Sequence, residues 1–177
     1  MQPTAVIIMK AGPHAGSGWQ EIVEWKMGDL LRADVTLWGY GGSLCDPLRQ
    51  VQPFALEVGT SIEVAMLPTT SNPENAPTVA SEMSVDKVKW EPLAEGVNVT
   101  GSKCALVLDR LDLCDEVIDL SSYEVAIGPS EGKPAGDYLR HQVDKGCFRR
   151  ILQPSGDDVR PVTMRGRLTR PWAVYLR

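Results

Sequence analysis

At 177 residues, with 43% hydrophobic and 23% charged residues, the chain has the composition of one folded domain with a sizeable core. No run approaches the roughly 18 apolar residues that span a bilayer, and the opening MQPTAVIIMKAG lacks the basic and apolar regions of a signal peptide. Four cysteines and two histidines, in no metal-ligand spacing, argue against a zinc site or a dense disulfide framework. A cytoplasmic protein with no metal, no cofactor and no membrane contact is expected.

Ala5–Met9 is a short β-branched run, read as a buried strand. It leads into KAGPHAGSGWQEI, a glycine-rich loop before a helix. Trp19, Ile22, Val23, Met27 and Leu30 share one stripe at helical period, which predicts a helix over 19–31 with Trp25 on the opposite side. Ser17 followed by Gln20 fits a capping box. Val35–Trp38 reads as a second strand, followed by GYGGSLCDP. Four further segments are rich in β-formers: Phe54–Val58, Ser61–Met66, Lys87–Trp90 and Cys104–Leu108. The 20-residue polar stretch 67–86 reads as a mobile surface excursion.

Asp115–Leu120 and Tyr123–Ile127 are two more strands around Ser121-Ser122, with a hairpin allowed. Leu139, Val143 and Cys147 recur at i, i+4 and i+8, predicting a second helix over Ala135–Phe148. The end of the chain, 159–177, reads as one or two strands interrupted by Gly166 and Pro171. The whole is an α+β fold: a single domain over 1–177, with a mainly antiparallel curved sheet of about eight strands and two helices.

The net charge of −5 is unevenly placed: residues 1–144 hold 10 Lys+Arg against 21 Asp+Glu, whereas the basic C-terminal segment 145–177 holds 8 against 2. Two readings stand. The basic end folds onto the acidic body or a partner subunit, or Arg149, Arg165 and Arg167 with their neighbours form an anion-binding wall. An acidic body makes nucleic acid a poor partner.

Two loops repeat a strand–GPxxG–helix arrangement, at 12–16 and 128–132. Helix N-termini expose unpaired N–H groups and glycine lets a ligand approach the backbone, so both are candidate anion cradles. Neither is a Walker A or a Rossmann fingerprint. The candidate ligand-binding residues are Gly12, His14, Gly16, Ser17 and Gly18 in the first loop, and Ser130, Gly132 and Lys133 in the second. Tyr40 with Gly41 and Gly42 adds an aromatic surface, and Arg149, Arg165 and Arg167 add charge. The leading expectation is a small binding protein that sequesters a compact anionic ligand, most plausibly a nucleotide or nucleotide-derived signal. One alternative is an enzyme acting on a nucleotide or phosphorylated substrate through His14 or Cys45. The other is an assembly protein, a homo-oligomer joining acidic body to basic tail.

Overall fold

The computed structural model describes residues 2–40, 47–59, 61–71, 76–140, 143–154 and 156–177, without the side chains of residues 47 and 48. In chain order the elements are β1 (Ala5–Ala11), α1 (Trp19–Ala33), β2 (Thr36–Tyr40), α2 (Pro47–Val58), β3 (Ile62–Pro68), β4 (Glu82–Ser84), β5 (Glu91–Pro92), β6 (Cys104–Asp119), β7 (Tyr123–Val125), α3 (Ala135–Tyr138), β8 (Lys145–Arg150) and β9 (Val159–Leu176). The nine strands form one mixed sheet in the order β2-β6-β9-β3-β1-β8-β7, with β4 joined to β9 and β5 to β4. Only β1 and β3 run parallel. This is the α+β, mainly antiparallel arrangement expected, with three helices where two were predicted.

The strands are apolar on both faces where both are covered. In β1, Ile7 and Met9 join the core under α1 and α2, while Val6 and Ile8 join a second cluster with Ile118, Tyr123 and Phe148. Alternation at period 2 sends neighbours to opposite faces, and burial on both sides explains the unbroken AVIIM run. A third cluster sets Leu37, Ala105, Val107 and Val174 against Met83, Leu93 and Val97.

The open sheet is strongly curled. Lys145 of β8 holds its Nζ 3.9 Å from the ring centre of Tyr40 on β2. Five inter-strand steps of ~4.8 Å would hold β2 and β8 about 24 Å apart in a flat sheet. Curling brings the two together and leaves a cavity between them.

Several local expectations are corrected. Phe54–Val58 is helical, because Val51, Phe54, Ala55 and Val58 fall on one helical face that packs into the core. Lys87–Trp90 is a bend, held by Asp86 Oδ1 accepting the N–H groups of Val88 and Lys89 at 2.8 and 2.9 Å. β6 and β7 do not form a hairpin with each other: a single 3-10 turn, Leu120–Ser122, separates them, and β7 pairs with β8. The helix predicted over 135–148 stops at Tyr138, since Gly146–Arg149 pairs along β1 instead. The polar stretch 67–86 supplies the end of β3 and the whole of β4, so part of it is sheet.

The C-terminal segment is one strand despite Gly166 and Pro171. It bulges where Leu106 pairs with Ala173 but Leu108 pairs with Leu168. Trp172 has φ +68° there, a conformation costly for a bulky residue. Gln52 of α2 braces the bulge by donating to the carbonyls of Pro171 and Ala173. Cys104 is disulfide-bonded, while Cys114 and Cys147 are free thiols. Among the described residues, no helix is long and apolar enough to cross a membrane.

Candidate functional site

The loop after β1 is shaped by one close approach and one tight turn. A Cβ on Gly12 would lie 2.3 Å from the carbonyl oxygen of Thr69, so only glycine lets this loop run beside the segment leaving β3. His14 and Ser17 then exchange both backbone hydrogen bonds, at 3.0 and 2.9 Å, around Ala15 (φ +50°) and Gly16 (φ +83°). Two successive positive φ values make this a two-residue hairpin turn. The N–H groups of His14 and Ser17 are therefore spent on each other. Gly18 is the N-cap of α1, with no side-chain cap, so the expected Ser17–Gln20 capping box is absent.

His14 Nε2 lies 2.9 Å from the Gly101 carbonyl and 3.4 Å from Ser102 Oγ. A carbonyl only accepts, so Nε2 carries the proton and donates to it. It then has no lone pair with which to deprotonate Ser102, whose hydroxyl donates to the Thr100 carbonyl at 3.2 Å. His14 and Ser102 are not a base–nucleophile pair in this geometry.

Helix α1 supplies the deepest charge. Lys26 follows Ile22 by four residues and Val23 by three, so it lies on the inward stripe, and it is only 5% exposed. Its Nζ donates to the Asn98 carbonyl at 2.9 Å. Burial pulls the amine down to about 8, against the pull of the Asp29 carboxylate. Asp29 itself is fully buried, which raises its pKa. It accepts from Thr36 Oγ1 at 2.9 Å and from Arg32 at 3.2 Å. Arg32 also donates to the Gly96 carbonyl at 3.2 Å, so this network clamps the 96–98 segment to the helix.

Across the cavity, β2 ends at Tyr40 under the Lys145 amine, which burial also shifts down against the Asp144 carboxylate. A Cβ on Gly39 would lie 2.2 Å from Ser102 Oγ, so glycine here admits the 98–102 segment to the wall. The cavity, open to solvent on one side, has a volume of about 240 Å³. Its charged lining is Lys10, Lys26, Lys145 and one carboxylate, Asp144, among the described residues, with the His14 imidazole beside them. Trp25, Trp38 and Tyr40 give it flat apolar walls, and Ser17, Ser71, Thr100 and Ser102 give it hydroxyls. Inside an acidic protein, the cavity is a concentration of cations.

Of the residues marked from sequence, Gly12, His14, Ser17 and Tyr40 line this cavity; Gly16 and Gly18 are exposed beside it. Gly41 and Gly42, with Cys45 and His141, fall outside the described residues. The second GPxxG loop is elsewhere. Gly132 donates its N–H to Val125 at 2.9 Å, Lys133 donates its own to Ser130 at 3.0 Å, and Lys133 is exposed. The helix after this loop is only four residues long.

The three arginines are held by carboxylates. Arg149 pairs with Glu124 and Glu131 at 2.8 and 3.1 Å, and Arg165 pairs with Glu63 and, at 2.7 Å, with Glu116. Arg167 makes two bonds to Asp109 at 2.7 and 3.2 Å and lines a separate polar recess of about 290 Å³ with Arg110 and Glu63. The basic segment thus meets acidic residues of its own chain. The free thiols are poor nucleophiles: burial pushes Cys147 up to about 12 and also raises Cys114.

Sequence reasoning missed Lys10, Lys26 and Lys145, while Trp25, opposite the apolar stripe of α1, lines the cavity. The signal for Lys26 was a lysine within an apolar helical stripe. No family model, curated protein or solved structure matches the chain.

Proposed function

We propose that the protein captures a compact anionic ligand with a flat group, of a mononucleotide's size or smaller, in the cavity between α1, β2 and β8. The observation that carries this reading is the presence of two partly desolvated amines, the buried Lys26 and the half-buried Lys145, in one aromatic-walled space lined by a single carboxylate among the described residues. Each amine feels one carboxylate, Asp29 for Lys26 and Asp144 for Lys145, yet desolvation outweighs both, and an anion entering the cavity offsets that cost. Trp25 and Tyr40 offer faces against which a ring can stack.

The cavity equals about eight water volumes at ~30 Å³ each, which favours a small phosphate or carboxylate compound over a dinucleotide. Sequestration accounts for the site better than turnover, because His14 has spent its Nε2 proton on a carbonyl. Assembly through the basic tail loses its motive once Arg149, Arg165 and Arg167 are paired within the chain. The Cys104 disulfide bears on the compartment, since oxidising compartments preserve such bonds and cytosolic thiol pools reduce them.

The test is a thermal-shift series against inorganic phosphate, nucleoside monophosphates and small carboxylates, with the compound's mass checked afterwards. A ligand that binds only the folded state raises the melting temperature. The expected result is a rise with the compound intact, reduced about tenfold in apparent affinity by Lys145→Ala. A rise with altered compound would replace capture by catalysis. No rise with any of them would sink the proposal.

A further inference from the structure

Resting on the anion-capture reading, we propose that Lys26 holds its ligand covalently, by reversible imine formation with a small aldehyde or ketone that carries a carboxylate or phosphate. The geometry supplies both halves of such a site. Lys26 lines the cavity together with Asn98, and its Nζ donates a hydrogen bond to a neutral acceptor, the Asn98 carbonyl. One N–H satisfies that carbonyl, and in the neutral amine a lone pair remains to attack. Lys10 from β1 and Lys145 from β8 line the same cavity and place positive charge on the side where the anionic end of the ligand would lie. Asp29 on the same helix and Asp144 beside Lys145 are the carboxylates that oppose neutralisation.

The step balances without any further reagent. The Nζ lone pair adds to the carbonyl carbon, the carbonyl π pair moves to oxygen, and the oxygen takes one of the nitrogen's protons to give a carbinolamine. The nitrogen lone pair then forms the C=N bond as hydroxide leaves with the remaining N–H proton, so amine and carbonyl become imine and water. Burial favours this chemistry at Lys26 over a surface lysine. Lowering an amine from 10.5 to about 8 raises its neutral fraction near pH 7 about 300-fold. Reduced basicity offsets part of that gain in nucleophilicity.

The experiment is reductive trapping of the folded protein with glyoxylate and sodium cyanoborohydride at neutral pH, followed by peptide mapping of all seven lysines. Adduct at Lys26 should exceed the mean of the other six by about tenfold, become even in urea, and vanish in Lys26→Arg. The wild-type map does not depend on that variant folding. Even labelling of the folded protein, or labelling centred on Lys145, would overturn the inference. A parallel melt with inorganic phosphate, which has no carbonyl, separates the two ideas. Stabilisation by phosphate with even labelling removes only the imine, whereas no stabilisation by any anion together with even labelling removes the capture reading as well.

Discussion

The two GPxxG loops share three letters in five and an identical fifth position, yet only one belongs to a cavity. Gly16 and Gly132 both have φ +83° with open space where a Cβ would be. The residue before each differs, since Ala15 has a positive φ and Glu131 does not, so the shared glycine conformation sits in two different turns. The first position differs. Gly12 presses against the backbone of Thr69, whereas Gly128 (φ +94°) has only the Gln50 side chain, at 3.4 Å. The helices beyond the loops differ more, because the first loop leads to a 15-residue helix carrying Trp25 and Lys26 into the core side of a curled sheet. The second leads to one turn of helix, Ala135–Tyr138, whose Ala135 packs into the second core cluster away from this cavity. A short glycine motif specifies a bend; the partner across the bend makes a site.

That contrast is sharpest in the buried amine. Because Lys26 is charged less readily in the folded state, unfolding takes up a proton between pH 8 and 10.5, and stability rises with pH across that window. Lys145 acts in the same direction. Above pH 9 the Cys147 thiol opposes it, as does the Tyr123 phenol above pH 10, since burial raises each to about 12. In Lys26→Met these other groups cancel on comparison with the parent. The gap between the two denaturation profiles should change by about 3 kcal/mol from pH 8 to 10.5. A constant gap would mean that the amine is solvated.

Next in size is Gly12→Ala, which should cost about 2–3 kcal/mol in urea unfolding because a backbone oxygen has to move. Gly128→Ala should cost about 1–2 kcal/mol from its left-handed backbone alone. Equal costs would dissolve the contrast between the first positions. Gly16→Ala and Gly132→Ala provide the control, each losing about 1 kcal/mol to the same backbone strain. The smallest effect is expected from Arg149→Ala beside the second loop. Its ion pairs are exposed, so stability should fall by under about 1 kcal/mol, and the response to phosphate should stay unchanged. A lost phosphate response in that variant would move the anion site to the second loop.

The elements legible in sequence are those whose local pattern and tertiary role agree. Trp19, Ile22, Val23, Met27 and Leu30 announced α1, and the β-branched run announced β1. Helix α2 was hidden by Pro53 and by a β-rich composition, although Val51, Phe54, Ala55 and Val58 carry its period. The i, i+4, i+8 spacing of Leu139, Val143 and Cys147 misled for the opposite reason. There, pairing of Phe148 with Val6 and of Cys147 with Ile7 outweighs helical propensity. The site itself has no sequence motif because its lining comes from 9–26, 38–40, 69–71, 98–102 and 144–145. Glycine and histidine in the first loop drew notice as chemistry, while the cations that matter looked like ordinary helix and strand lysines.

The pairing of Met9 with Lys145 has a consequence for the life of the chain on the ribosome. The cavity's first wall is synthesised within the first forty residues, but its last wall arrives more than a hundred residues later. Contacts of such sequence separation carry a high loop-closure cost and form late and slowly. Until β8 docks on β1, Tyr40 has no cation above it and Lys26 has no cavity to face. Ligand capture is therefore a property of the finished polypeptide, and a ligand added during refolding should report on the final docking step instead of seeding the earlier ones.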